Sequence, residues 1–411
     1  MSNSRAFSSD DYTVGWICPL PCELAAAVSM LDERHYPPLA QCNVDDNNYV
    51  LGRIGGHNVV MTCLPGGSNG KVAAAVAATR MTLTFGSLRF LLLVGTAGGV
   101  PNGKDIRLGD VIISHPDTRC GGVVQYDFGK TVQEGRFVHT TTLNKPPRVL
   151  RNAVSALLVQ YMCRPAALSM QLSQIVKKAG YSRPASETDV LYESSHDHPS
   201  EAKTCLRCDT NKSLQRPARS WDGPVAHLGV VASGDQVMRW ATRRDELWGE
   251  LNMDCFEMEA AGLMDDFPCL VIRGISNYAD SHKNDAWRQY AAAVAAAYAT
   301  ELLGIVPGGL AAMIPSTDRG DMDSSKEMAV VQGLPWRANP GGMYDGVAKI
   351  QPSLMSGKTF AHAGPEGFRD CDATEPDDGT GNCPITEMGV FGAPPPRLGS
   401  PESGSVPHSP V

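Results

Sequence analysis

Residues 90–94, Phe-Leu-Leu-Leu-Val, form an uninterrupted apolar run of strand length that stops at Gly95-Thr96-Ala97-Gly98-Gly99. A strand without polar alternation must be covered on both faces, so other elements have to pack above and below it. The same signature returns at Cys269 to Ile275. Shorter strand-like runs lie at Tyr12 to Cys18, Val111 to Ser114 and Val225 to Ala232. Tyr49 to Ile54 and Asn58 to Leu64 alternate as a hairpin across Gly55-Gly56. Helical stretches separate these runs: Leu24 to Leu31, Gly70 to Thr84, Asp235 to Leu251, Met258 to Asp266, and the Ala-rich Asn284 to Leu303. Strands alternating with helices predict an α/β domain on a largely parallel or mixed sheet.

With 411 residues, 42% of them hydrophobic, the chain can bury at least one large core. A formal net charge of −8 argues against a nucleic-acid surface. Spanning a membrane takes about 20 apolar residues. The nearest candidate, Ala291 to Ala299, is short and followed by Glu301, which suits a helix in a core. The first ten residues are polar and lack the apolar segment of a secretory signal. The twelve cysteines are scattered, with Cys18, Cys63 and Cys269 inside apolar runs. They read as reduced thiols, and a cytoplasmic location is expected.

Residues 1–10 are expected to be a flexible leader and 11–307 the folded domain. Within it, residues 163–222 are polar and without period, and read as an insertion. Residues 308–411 are rich in Gly, Pro, Ser and Asp. They are too poor in apolar runs to offset the entropy of ordering, so a disordered tail is expected. The run Ala393-Pro394-Pro395-Pro396-Arg397 has the form of a polyproline ligand, but such runs arise by chance in tails of this composition.

Four places carry candidate chemistry. Gly95-Thr96-Ala97-Gly98-Gly99 follows a buried strand, where ligands of open α/β sheets sit, and its glycines allow close backbone approach. Alone it reads equally as a tight strand exit. Phe256-Glu257-Met258-Glu259-Ala260 puts two carboxylates at the predicted start of a helix, where they would also suit the dipole. Arg273 to Asp280 places polar side chains at the end of the last buried strand. Ser233-Gly234-Asp235-Gln236 does the same after another strand, with Asp235 equally a helix cap.

Taken in order, these blocks resemble the nucleoside phosphorylase/nucleosidase superfamily. The chain is most similar to the methylthioadenosine/adenosylhomocysteine nucleosidase branch, and within it to the module found in fungal proteins, often at the N-terminus of NLR-like receptors. The pieces that carry the resemblance are Val14-Gly15-Trp16-Ile17 with Glu23 after it, Gly70 to Ala75, Gly95 to Gly99, Leu108-Gly109-Asp110-Val111, Ala232-Ser233-Gly234-Asp235, Phe256 to Ala260, and Arg273-Gly274-Ile275-Ser276. Gly121 to Phe128 resembles the fungal subgroup in particular.

The resemblance implies a three-layer αβα fold around a mixed, partly barrel-like sheet, with the site at the strand ends near Gly95, Ala232 and Ser276. It implies that Glu259 and Met258, with Glu257 beside them, hold the ribose hydroxyls. A carboxylate suits a vicinal diol because it accepts two hydrogen bonds. Thr96, Ala97 and Gly98 would line the sugar or nucleophile pocket, with Ser233, Asp235 and Phe256 contributing to substrate binding. Glu23 would activate water, and Ser276 and Asn277 would face the purine. The implied reaction is hydrolysis of the N-glycosidic bond of a purine nucleoside or nucleotide through an oxocarbenium-like cation. The implied partners are a small purine compound and a second copy of the chain, without nucleic acid or membrane. No cofactor and no metal are implied.

The chain departs from this pattern twice. Asn277 stands where the nucleosidases carry the acid that protonates the purine, and loss of such an acid costs about 10²–10⁴-fold. An amide can still donate a hydrogen bond. A preference for 6-oxopurines, slow turnover, or a nucleoside-sensing module without catalysis are the readings it leaves open, and Asp280 and His282 lie close by in sequence. Leu93 stands where hexameric phosphorylases carry a phosphate-binding arginine. That favours water over phosphate as nucleophile, although Arg119 or Lys71 could reach an anion. Phosphorolysis is the alternative chemistry.

The remaining signals have ordinary readings. Cys205-Leu206-Arg207-Cys208 is a lone CxxC, with His196 and His198 upstream and Cys163 further back; one CxxC is half of a zinc site, so metal is the lesser reading and two thiols in a loop insertion the main one. Arg207, Arg216 and Arg219 read as solvated charge. Trp16, Trp240, Trp248 and Trp287 read as core.

Overall fold

In a computed structural model, residues 7–308 are described, apart from 37–39, 141, 165–166, 179 and 203. The chain divides into two compact units, and all the described residues belong to the first, Met1–Leu334. The expected tail, its polyproline run and most of the expected leader lie outside the described residues.

The elements in chain order begin with β1 (Val14–Cys18), α1 (Pro21–Val28), β2 (Glu33–His35), β3 (Tyr49–Ile54), β4 (His57–Cys63) and α2 (Lys71–Thr84). Then come β5 (Phe90–Gly99), β6 (Val111–Ser114), β7 (Val123–Gln125), β8 (Gly129–Thr131), β9 (Phe137–His139), α3 (Arg148–Cys163) and α4 (Ala167–Ile175). The last are β10 (Ala226–Gly229), β11 (Val231–Ser233), α5 (Ala241–Leu251), β12 (Cys255–Glu257), β13 (Cys269–Asn277) and α6 (Arg288–Ile305). The polar stretch 163–222 holds α4 and short 3₁₀ turns.

The main sheet runs β10-β6-β13-β5-β1-β4-β3-β2. β5 lies at its centre, parallel to β1 and β13. The far end of β5 leaves that path and pairs antiparallel with β12, through Gly99 with Cys255 and Gly98 with Phe256. β12 continues to β11, and β11 to β7. This second path off β5 makes the sheet mixed and partly barrel-like.

The uninterrupted apolar runs now have a physical account. Phe90, Leu92 and Val94 enter one core, with Val14, Trp16, Leu270 and Ile272, under α1, α3, α4 and α6. Leu91, Leu93 and Ala97 enter the other, with Ile17, Val271 and Ile275, beneath α2. Period-two geometry sends successive residues to opposite faces, so a strand between two helical layers is apolar throughout. Ala291 to Ala299 of α6 are wholly buried. Small side chains let that helix lie close to the sheet. At Gly274 a Cβ would stand 2.0 Å from the Ala291 carbonyl oxygen. No described helix is long and apolar enough to cross a membrane.

Local pattern misplaces several boundaries, each for an identifiable reason. β5 does not stop at Val94, because β13 and β12 supply pairing partners through Gly99. The run 225–232 is two strands, because the Val230 N–H donates to the Asp254 carboxylate at 2.9 Å. The expected helix from Asp235 begins only at Ala241. Upstream, the Asp235 N–H donates to Asp127 and the Gln236 carbonyl accepts from the Tyr126 hydroxyl. The expected helix 258–266 shrinks to a 3₁₀ turn, Ala260–Gly262, whose leading N–H groups are taken by Glu257 and Ser233 side chains. Trp16 and Trp287 are core residues, whereas Trp240 is 56% exposed.

Candidate active site

β1, β5 and β13 run parallel, so their carboxyl ends open on one side of the sheet. After β1 the chain turns through Pro19-Leu20 into α1, whose first position is Pro21. Proline suits that position because its missing N–H would be unpaired there anyway. Two residues later Glu23 projects back over the end of β5. Its Oε1 accepts the Thr96 N–H at 2.7 Å and the Thr96 hydroxyl at 2.8 Å. Its Oε2 accepts the Leu20 N–H at 2.8 Å. Gly95 makes this approach possible, since a Cβ there would stand 2.6 Å from Arg273 Nη1 and 2.9 Å from Glu23 Oε2. Burial pushes the Glu23 carboxyl up to about 7, against the opposing pull of Arg273 and of these donors.

Arg273 belongs to the middle of β13 and is 1% exposed. A buried guanidinium needs anionic partners. It has Glu257, on a short contact, and Glu259 at 3.1 Å. The Glu257 carboxylate also accepts the N–H groups of Glu259 and Ala260. Its lone pairs are therefore largely occupied, and it acts as the anchor of the turn. Besides Arg273, Glu259 accepts the Gly70 N–H at 3.2 Å, with the Met258 backbone also drawing on it, and its carboxylate borders the cavity. Burial, with Glu257 beside it, raises the Glu259 carboxyl although Arg273 opposes this.

These groups border a cavity of about 240 Å³. It brings together Glu23, Thr96, Ala97, Gly98, Phe256, Glu257, Met258, Glu259, Ser276 and Asn277. Ser233 and Asp235 do not line it. The Ser233 hydroxyl accepts the Ala261 N–H at 2.9 Å and so holds the turn that carries Glu259. Asp235 accepts the Lys71 N–H at the start of α2 and pairs with Lys71 Nζ at 3.2 Å. Lys71 also binds Asp127, and Arg119 lies 3.5 Å from Asp117; neither Lys71 nor Arg119 borders the cavity.

Asn277 ends β13. Its Oδ1 accepts the Ala279 N–H and its Nδ2 donates to Ser276 Oγ, both at 3.0 Å. These contacts orient the amide with its N–H donors on the serine side. Asp280 and His282 border a separate cavity of about 590 Å³, which shares Ser276 and Asn277 with the first. The first cavity is also lined by Lys283 and Arg288. Burial, with Arg288 and Arg239 nearby, pulls the Lys283 ammonium down.

Sequence reasoning assigned no role to Arg273, and Lys283 and Arg288 went unmentioned. For Arg273 a signal existed. A lone arginine inside the apolar run 269–275 must meet carboxylates, and Glu257 and Glu259 were the candidates already singled out. Lys283 sits in a polar turn and Arg288 opens α6, and neither carries such a mark.

The chain is 43% identical over 309 residues to a nucleotide-binding leucine-rich repeat (NLR)-like protein from Hyaloscypha variabilis. That match takes in 73% of this chain but only 30% of the fungal protein. A 5′-methylthioadenosine/S-adenosylhomocysteine nucleosidase from Mycobacterium bovis is 26% identical over 303 residues, which is 72% of this chain and 97% of that enzyme. Among solved structures, native futalosine hydrolase of Helicobacter pylori is similar at 17% identity and a TM-score of 0.46, over 71% of this chain and 97% of that one. Matched over residues 13–306 by the profile of the phosphorylase superfamily, the chain belongs to that family.

Proposed function

We propose that the chain hydrolyses the N-glycosidic bond of a purine nucleoside or nucleotide and releases the free base. The observation that carries this reading is Glu23: a buried carboxylate at the cavity wall, held by Thr96, with its pKa near neutrality. A base poised near the working pH combines adequate ionisation with adequate basicity. Water approaching C1′ would pass its proton to Glu23 as the C1′–N9 bond breaks and the electron pair leaves with the purine. Glu259, which borders the cavity, would hold the ribose hydroxyls, and the local excess of carboxylate over Arg273 charge suits an oxocarbenium-like sugar. Asn277 Nδ2 would donate to the departing base without protonating it, so the proton would come from solvent.

Water is favoured over phosphate because Arg273, the cation beside Glu23, is engaged by Glu257 and Glu259, and Arg288 pairs with Asp285, which leaves Lys283 as the cavity cation a phosphate would need. The nucleosidase from M. bovis, similar over nearly its whole length, supports the same chemistry. Asn277 favours one second reading, a nucleoside-binding module with little catalysis, and the NLR-like relative is compatible with it. The test is base release from adenosine, inosine, methylthioadenosine and ATP, each with and without phosphate. Free purine without phosphate supports hydrolysis. Release only with phosphate replaces it by phosphorolysis. Binding without release from any substrate moves the module reading to first place.

A further inference from the structure

The loop that leaves β13 after Asn277 reaches His282, whose ring is buried and stacks on Tyr192 with centroids 4.0 Å apart. The His282 Nε2 lies 2.9 Å from the His196 carbonyl oxygen. A carbonyl only accepts, so the ring proton sits on Nε2 and Nδ1 presents a lone pair. That lone pair faces Cys208 Sγ at 3.5 Å and Cys205 Sγ at 3.9 Å. The two sulfurs come from the CxxC, which forms a 3₁₀ turn closed by the Cys208 N–H on the Cys205 carbonyl at 3.0 Å. His198 supplies a fourth donor, and the ligand-type atoms of all four residues lie within 4.8 Å of one another. The His198 Nδ1 is bound to the Pro199 carbonyl at 2.9 Å, which leaves Nε2 as its free nitrogen.

We propose that His198, Cys205, Cys208 and His282 form a structural zinc site that clamps the CxxC turn to the loop following β13. The donor set is the Cys₂His₂ combination that tetrahedral Zn²⁺ takes in closed structural sites. Zinc–sulfur and zinc–nitrogen bonds of about 2.3 and 2.0 Å at tetrahedral angles put S and N about 3.5 Å apart. The sulfur-to-Nδ1 separations of 3.5 and 3.9 Å fall near that value. Each histidine has a backbone carbonyl on its other nitrogen, the outer-shell arrangement that orients metal-binding imidazoles. Plain hydrogen bonding accounts for less, because one lone pair on Nδ1 cannot serve two thiols well. The CxxC that reads as half a site in sequence acquires its other half from residues up to 77 positions away.

The clamp acts on the active site indirectly. Ser276 and Asn277 border both the candidate active site and the cavity lined by Cys205, Cys208 and His282. Zinc would hold the loop immediately after them, so the four ligands are positioning residues.

The experiment is metal analysis of the full chain, purified under reducing conditions without chelator from zinc-supplemented culture. About one zinc per chain is expected. Cys205→Ser and Cys208→Ser should each lose it, whereas Cys163→Ser, an exposed cysteine outside the cluster, should retain it. Because the cluster variants could misfold, a second measurement uses the wild type. Chelator-stripped protein titrated with Co²⁺ should develop thiolate-to-cobalt charge-transfer bands and tetrahedral d–d bands that saturate near one equivalent. Wild type without zinc and without those bands overturns the proposal. So does zinc that survives loss of both cysteines, or a Cys205–Cys208 disulfide seen by mass after reducing purification.

Discussion

Thr96 offers Glu23 two donors at once, its N–H at 2.7 Å and its hydroxyl at 2.8 Å, on the same carboxylate oxygen. The contact joins residues 73 positions apart and fixes the direction in which the carboxylate faces the cavity. It also favours the ionised form, but not enough to cancel burial, so the group titrates near 7. Base release should therefore rise with pH through about 7 and fall below it. Glu23→Gln should lower kcat by about 10²–10⁴-fold and remove that limb of the profile. The check is kcat against pH for both proteins; a variant that keeps the wild-type profile dismisses Glu23 as the base.

The same group should make stability pH-dependent. Its folded pKa of about 7 lies above the ordinary 4.5. Below 4.5 the carboxyl is protonated in both states and contributes nothing. Between 4.5 and 7 the folded state holds more protons, so stability falls as pH rises. Above 7 the penalty is complete, on the order of 3–4 kcal/mol at about 1.4 kcal/mol per pH unit. Denaturant midpoints of wild type and Glu23→Gln, compared from pH 4 to 8, should converge at the acid end and separate in favour of the variant at the alkaline end.

The two carboxylates on Arg273 should fail differently. Glu257→Ala removes the main partner of a buried guanidinium and the acceptor of the following N–H groups, and should cost about 3–5 kcal/mol. Glu259→Ala leaves the Arg273–Glu257 pair in place, so the protein should stay folded, at a cost of roughly 1–3 kcal/mol. It should nevertheless lose activity on ribosides. Chemical denaturation alongside base release separates the outcomes, and full activity in Glu259→Ala would remove it from the sugar site.

Asn277→Asp places an ionisable acid where the amide now donates to Ser276. The Ala279 N–H can still be accepted, and the Ser276 hydroxyl can turn to donate. Turnover of adenine nucleosides is expected to rise at least about tenfold, toward the range in which general acids act. Competition between adenosine and inosine reads the effect directly. A fall on both substrates would mean that the amide, as it stands, suits the natural leaving group.

Gly274→Ala should destabilise the sheet by about 3 kcal/mol or more, because its Cβ would meet the Ala291 carbonyl, a backbone atom that cannot swing away. Gly66→Ala, with nothing within 4 Å, serves as the control. Thermal unfolding of the pair measures the difference. Equal midpoints would mean that α6 can shift outward at little cost.

The sequence by itself determined the layered α/β architecture and the order of the blocks that gather at the candidate site. Residues such as Phe90 to Val94 and Ala291 to Ala299 carry their burial in their own composition and period, and both properties are local. Thr96 and Asn277 were legible in motifs at strand ends and Glu259 in a carboxylate pair at an expected helix start, whereas Glu23 was marked only by the family resemblance. Tertiary structure alone decided where strands stop and what side chains face. β5 runs on through Gly99 only because β12 and β13 meet it there, and the turn after Glu257 is not a helix because that side chain takes its N–H groups. Likewise Ser233 supports the turn from behind, Arg273 gathers the carboxylates, and His282 completes a cluster begun at Cys205. These are contacts between distant segments made by groups that cannot be buried unpaired, and a partner that far along the chain leaves no periodic trace in the residues around it.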